Sequence, residues 1–195
     1  MDFDRRLERV LWEEEELQRR IRELGTEITE DYREMLGRSS RERPLLAVGL
    51  LRGAAIFLAD LVRAIDLPLE YDFITVRSYG DATSPGGLRL LQDLEEQVEG
   101  RDLLLVEDIV DTGRTLKYIQ ESLRARSPRS LKTCCLLDKV ARREVEVELD
   151  YVGFRLEEDA FVVGYGLDYA GLYRNLPYIA TLKPGILQDQ DGDAH

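Results

Sequence analysis

The sequence predicts an α/β fold with a mostly parallel central sheet flanked by helices. Two observations carry that expectation. From Leu45 onward, short apolar runs that stop at glycine or charge alternate with stretches of helical period, the rhythm of a parallel sheet with crossover helices. At 195 residues, 44% hydrophobic and 34% charged, the chain has the size and composition of one soluble domain, taken as residues 1–195.

The elements follow in order. Residues Glu13 to Leu36 carry apolar positions at Leu17, Ile21, Leu24 and Ile28, a helical period, with Gly25 expected to break or cap the helix. LLAVGLL (45–51) reads as a strand and AAIFLADLVRAI (54–65) as the helix after it. YDFITVRSY (71–79) and LRLLQDL (88–94) read as strands joined by the glycine-rich connection YGDATSPGG (79–87), expected to be mobile. LLLV (103–106) is a strand expected to stop at Glu107 and Asp108, TLKYIQESLRA (115–125) a helix, and LKTCCLL (131–137) a further strand. YVGF and FVVGYGL suggest more strands, and Tyr178 to Leu182 one that closes the fold. Residues 1–12 and 185–195 are expected to be peripheral or disordered.

Composition excludes several classes of function. A net charge of -12 disfavours general nucleic-acid binding. The longest apolar runs fall far short of a bilayer span, and MDFDRRLERV holds no apolar signal core, so no membrane partner and a cytoplasmic location are expected. Cys134 and Cys135 are adjacent and, on a strand, point to opposite faces, which reads as two buried thiols rather than a disulfide. His195 at the C-terminus is the single histidine, so internal acid or base work falls to carboxylates, lysine or tyrosine.

The stretch Leu103 to Leu116, LLLVEDIVDTGRTL, carries the chemistry. A run buried on both faces of a parallel sheet delivers two carboxylates, Glu107 and Asp108, to the sheet edge where ligands of open α/β sheets bind. Asp111, Thr112, Gly113, Arg114 and Thr115 then form a loop into a helix. Backbone N–H groups at a helix start, a glycine allowing close approach and two threonine hydroxyls make a cradle for a monophosphate. Glu107 and Asp108 suit sugar hydroxyls or a divalent cation. The pattern GxxxxGK is absent, so an ATPase or kinase reading lacks its main part.

EDIVDTGRTL resembles the signature of the type I phosphoribosyltransferase family, and the chain from about Glu13 to Leu182 resembles its hypoxanthine-guanine branch. LLRG (50–53) is similar to the family's pyrophosphate loop, SYG (78–80) to the start of its mobile catalytic loop, and LLDK (136–139) and FVVGYGLDYAGLYRNLPY (161–178) to its purine-site segments. The resemblance implies the type I fold, with a small hood from the terminal regions and a mobile active-site loop. It also implies transfer of a phosphoribosyl group from phosphoribosyl pyrophosphate to hypoxanthine or guanine, with Mg2+ as cofactor and a homodimer or homotetramer as the working form.

Residue by residue, the resemblance places Glu107 and Asp108 on the ribose hydroxyls, directly or through Mg2+, and Asp111 at N7 of the purine as general acid or base. It gives Thr112 to Thr115 the 5′-phosphate. Lys139 donates to the 6-oxo group, which favours oxopurines over adenine. Phe161 stacks on the base, the backbone of Val162 and Asp168 reads its edge, and the Asp168 carboxylate reaches a second Mg2+. Leu51, Arg52, Gly53 and Arg174 hold pyrophosphate, and Ser78 and Tyr79 begin the loop that closes over both substrates and excludes water. Two departures stand out. Arg52 occupies a position where the family usually has lysine, and RLEEDA (155–160) replaces a shorter, proline-containing turn. A transferase for xanthine or a pyrimidine, or a regulatory RNA-binding protein on the same fold, is the alternative reading.

Overall fold

The computed structural model describes residues 3–36, 44–79, 87–183 and 185–186. Strand β1 (Leu7–Trp12) leads into helix α1 (Glu14–Leu36), followed by β2 (Leu45–Leu51), α2 (Ala54–Ala64), β3 (Leu69–Tyr79), β4 (Gly87–Gln92), β5 (Asp102–Val110), α3 (Arg114–Arg124), β6 (Ser130–Lys139), β7 (Tyr151–Leu156), β8 (Val162–Val163) and β9 (Ile179–Leu182). Six strands form one sheet in the order β4-β3-β2-β5-β6-β7, parallel except for β4. A separate antiparallel sheet, β1-β9-β8, is the hood.

The period of two along each central strand divides the core. Leu45, Ala47, Leu104, Val106 and Cys134 pack beneath α1 and α2, while Leu46, Val48, Leu103, Leu105 and Cys135 pack beneath α3. Cys134 and Cys135 are therefore buried on opposite faces as free thiols. The amphipathic stripe Leu17, Ile21, Leu24, Ile28 and Tyr32 seats α1 on the first of these layers.

Three expectations need correction. Gly25 neither breaks nor caps α1, which runs through it; a Cβ there would lie 2.5 Å from the Ala64 carbonyl oxygen, so the glycine permits close crossing of α1 over the end of α2. β5 does not stop at Glu107. Its pairing with β2 ends at Val106 opposite Gly49, but β6 carries the ladder on through Glu107, Ile109 and Val110. FVVGYGL supplies a strand of two residues, followed by turns in which Gly164 and Gly166 have positive φ. The N-terminal region is peripheral but ordered from residue 3 to 12, where β1 pairs with β9. Residues 80–86, which hold most of the connection expected to be mobile, and residues 187–195 lie outside the described residues.

Candidate active site

The C-terminal edge of the central sheet gathers nearly all the residues singled out in the sequence. β5 brings Glu107 and Asp108 there with only 8% and 7% of their surface exposed. Two carboxylates so placed resist ionisation. Burial, then the neighbouring Asp108, pushes the Glu107 carboxyl well above its ordinary range; burial likewise raises Asp108, partly offset by hydrogen bonding from Glu107. Glu107 Oε2 is buried without a hydrogen-bond partner among the described residues. In native proteins buried polar atoms are nearly always hydrogen-bonded, so this oxygen is an exception with bonding capacity to spare for water, an ion or a ligand.

β2 ends directly beside this pair. The Leu51–Arg52 peptide is cis, and a Cβ at Gly53 would overlap the Asp108 carboxylate, so the 51–53 turn and the acid pair are in contact through a residue with no side chain. Arg52 is exposed at the tip. Ser78 and Tyr79 end β3, where their backbones pair with Leu88 and Gly87 of β4.

After Val110 the chain leaves the sheet through Asp111, Thr112 and Gly113 and starts α3 at Arg114. Gly113 has φ 85°, a left-handed turn that any Cβ would strain, and a Cβ there would also lie 2.5 Å from the Val145 carbonyl oxygen. A cleft of about 150 Å³ opens against this turn, lined by Glu107, Asp111, Thr112, Gly113 and Thr115. Arg114 itself points outward and pairs with Glu144 at 2.6 Å.

On the other side of Asp111 a second cleft of about 210 Å³ is lined by Asp108, Lys139, Arg142, Phe161, Val162 and Asp168. Lys139 is buried at the end of β6, and its ammonium pairs with Asp159 at 2.7 Å. Phe161 lies in an apolar run yet is 40% exposed, held edge-on by Tyr169 with ring centres 5.5 Å apart. An apolar ring that the core leaves open is available to stack on a flat ligand. Asp168 pairs with Arg174 at 2.5 Å and accepts the Gly171 N–H at 2.8 Å, so both of its oxygens are engaged. Arg174 also donates to the Gly166 carbonyl.

Ile109 and Asp111 line both clefts. Asp111 Oδ1 is buried and without a partner among the described residues, while Oδ2 faces Arg142 at 3.4 Å. The arrangement is two adjoining clefts, one against the glycine turn that starts α3 and one beside an exposed aromatic ring and a buried lysine, with a carboxylate between them.

Residues 16–170 match the phosphoribosyl transferase domain family. The chain belongs to that family. It is 48% identical over 183 residues to the hypoxanthine-guanine phosphoribosyltransferase of Bacillus subtilis, a match covering 93% of this chain and 97% of the relative. Its fold is similar to that of a Staphylococcus aureus hypoxanthine phosphoribosyltransferase, with a TM-score of 0.86, 45% identity, and coverage of 95% of this chain and 97% of the other. A Trypanosoma cruzi hypoxanthine phosphoribosyl transferase, studied for the role of its C-terminal region in oligomeric state and activity, superimposes with a TM-score of 0.87 at 39% identity, covering 95% and 96% of the two chains.

Within this phosphoribosyltransferase, sequence reasoning missed Arg142 and Arg143, which follow Lys139 by three and four residues. Arg142 lines the second cleft, and Arg143 donates to the carbonyls of Val110 and Asp111. The adjacent arginines just past a strand end were visible, but their direction depends on the short 3-10 turn at Val140–Arg142. Among the described residues no helix is long and apolar enough to cross a membrane.

Proposed function

We propose that this chain transfers the phosphoribosyl group of phosphoribosyl pyrophosphate to N9 of hypoxanthine or guanine, giving IMP or GMP and pyrophosphate in purine salvage. The observation that carries the reading is the pair of clefts meeting at Asp111. Their separation by one strand end suits a nucleotide whose phosphate and base lie at opposite ends of a ribose.

The 5′-phosphate sits in the turn from Thr112 to Thr115, on backbone N–H groups at the start of α3. Glu107 and Asp108 accept the ribose hydroxyls. The base stacks on Phe161, its 6-oxo group takes a hydrogen bond from Lys139, and the backbone at Val162 and Asp168 reads its far edge. N9 forms a bond to C1′ as the bond from C1′ to the pyrophosphate oxygen breaks, and the proton on N7 passes to the Asp111 carboxylate. Arg174 and the turn Leu51, Arg52 and Gly53 hold the departing pyrophosphate.

Mg2+ is the proposed cofactor. The residues fit it: Glu107 and Asp108 offer hard oxygen donors, and the unpartnered Oε2 of Glu107 lacks a counter-charge. Bound there, Mg2+ supplies charge neutralisation for the leaving group. Among the described residues no three acidic, histidine or cysteine side chains cluster as a metal site, so Glu107 and Asp108 would hold the ion together with oxygens of the substrate. Asp168 takes part only by sharing oxygens already bonded to Arg174 and Gly171. We place the enzyme in the cytoplasm, where free buried thiols such as Cys134 and Cys135 persist, and assign it a homodimeric or homotetrameric state that light scattering measures directly.

Incubation with phosphoribosyl pyrophosphate and a panel of free bases, with and without Mg2+, tests the proposal by pyrophosphate release. Release is expected with hypoxanthine and guanine, only when Mg2+ is present. Silence with both bases, or turnover of adenine or uracil alone, removes it.

A further inference from the structure

We infer that Arg143, together with the backbone that follows it, is the positioning residue of the phosphate site, acting from behind the loop without touching the ligand. The inference rests on the reading of the 111–115 turn as a phosphate cradle, and it is carried by where three successive carbonyls point. Arg143 Nη2 donates to the Val110 carbonyl at 3.0 Å and Nε to the Asp111 carbonyl at 3.1 Å. The next carbonyl, that of Thr112, accepts the N–H groups of Glu144 and Val145 at 3.0 and 3.1 Å. Residues 143–145 thus hold every carbonyl from 110 to 112.

The consequence follows from peptide geometry. In a planar trans peptide the C=O and the following N–H point in opposite directions. The peptides joining residues 110 to 113 are trans. Pulling the three carbonyls toward 143–145 therefore turns the N–H groups of Asp111, Thr112 and Gly113 toward the other side of the loop. That side is the cleft lined by Val110, Asp111, Thr112 and Gly113, whose walls include none of residues 143–145. With Gly113 left-handed at φ 85°, the run becomes a concave array of donors, the form of backbone that binds anions.

Only a guanidinium suits this place. Its Nε and Nη2 lie on one edge in a rigid fork and meet two successive carbonyls together, whereas a lysine offers one flexible ammonium. The fork is itself aimed: Nη2 also bonds Asp138 Oδ1 at 2.5 Å, and only 19% of the Arg143 side chain is exposed. Asp138 sits on β6 opposite Val110 of β5, so both ends of the clasp are fixed to the same pair of strands. Val145 completes it by closing onto Gly113, where a Cβ would lie 2.5 Å from its carbonyl oxygen.

The test measures what the phosphate adds to binding. Equilibrium affinities of IMP and inosine are compared for the wild type, Arg143→Met and Arg143→Lys, with folding checked by thermal melting. Arg143→Met is expected to cut the ratio of IMP to inosine affinity by about tenfold while inosine affinity stays within about twofold, and Arg143→Lys to recover only part of the ratio. Should Arg143→Met fail to fold, Arg143→Lys carries the test with an expected drop of about threefold. An unchanged ratio in the folded variants, or equal weakening of both ligands, overturns the positioning role. A wild-type protein that binds IMP no better than inosine overturns the phosphate reading beneath it.

Discussion

The two ends of β5 hold acidic side chains of similar burial and opposite fate. At the N-terminal end, the Asp102 side chain is 1% exposed and fully engaged: Arg129 donates to both of its oxygens and the Ser130 hydroxyl to one, at 2.7 Å. Burial opposes its charge, but these partners overcome it and hold the carboxyl below the ordinary carboxylate range. At the C-terminal end, Glu107 and Asp108 are buried against each other, with both carboxyls raised. One end spends its polar groups on the fold. The other pairs its two acids with each other and leaves Glu107 Oε2 without a hydrogen-bond partner among the described residues.

Substitutions should separate the two ends. The largest effect is expected at Asp111, beyond the ligand end: Asp111→Asn lowers kcat about a hundredfold or more and leaves the melting temperature nearly unchanged, as steady-state kinetics and calorimetry will show. A variant with undiminished kcat takes Asp111 out of the proton transfer. Next comes Asp102→Asn, which breaks a buried charge pair. Because Arg129 is 41% exposed and solvent screens it, the loss is set at about 2 kcal/mol, read by chemical denaturation, with KM and kcat of the folded fraction unaltered. A change in kinetics without loss of stability would erase the contrast between the ends.

The smallest effect has the opposite sign. Glu107→Gln removes a buried acid and is expected to stabilise the ligand-free protein by about 1 kcal/mol at pH 8 while weakening binding of phosphoribosyl pyrophosphate. Since the Glu107 carboxyl is raised in the folded state, the unfolded chain gives up its proton first as pH rises. Native stability therefore falls between the ordinary carboxylate pKa and the raised one, and the variant should lack that fall. Asp102 runs the other way: its contribution is present above the ordinary aspartate pKa and is lost as pH drops through the lower folded value. Denaturation curves across pH for the two variants test both signs, and parallel profiles would refute the assignment.

What the sequence disclosed follows the same division. The strand, acid pair, turn and helix from Leu103 to Leu116 are contiguous, so their spacing alone places them at one sheet edge. Lys139, Phe161 and Asp168 come from different elements, and only resemblance joined them; that Phe161 is exposed and Lys139 buried depends on packing no periodicity encodes. Gly25 misled because a helix-breaking signal and a helix-crossing signal are the same residue, told apart only by Ala64 on the other helix. Arg143 escaped notice because, apart from the Asp138 carboxylate, its partners are carbonyl oxygens, which no side-chain pattern reveals.

Ile109 and Asp111 are shared by both clefts, and this has a kinetic consequence for the proposed reaction. Before transfer the two clefts hold separate molecules, each free to leave alone. Afterwards one molecule fills both, and when its base end swings out, its phosphate end still tethers it at a local concentration on the order of millimolar or higher. Recapture then outpaces escape. On the proposed reading the nucleotide is a bivalent product, and turnover is expected to be set by its release rather than by bond-making at C1′, which a burst of product in the first turnover would show.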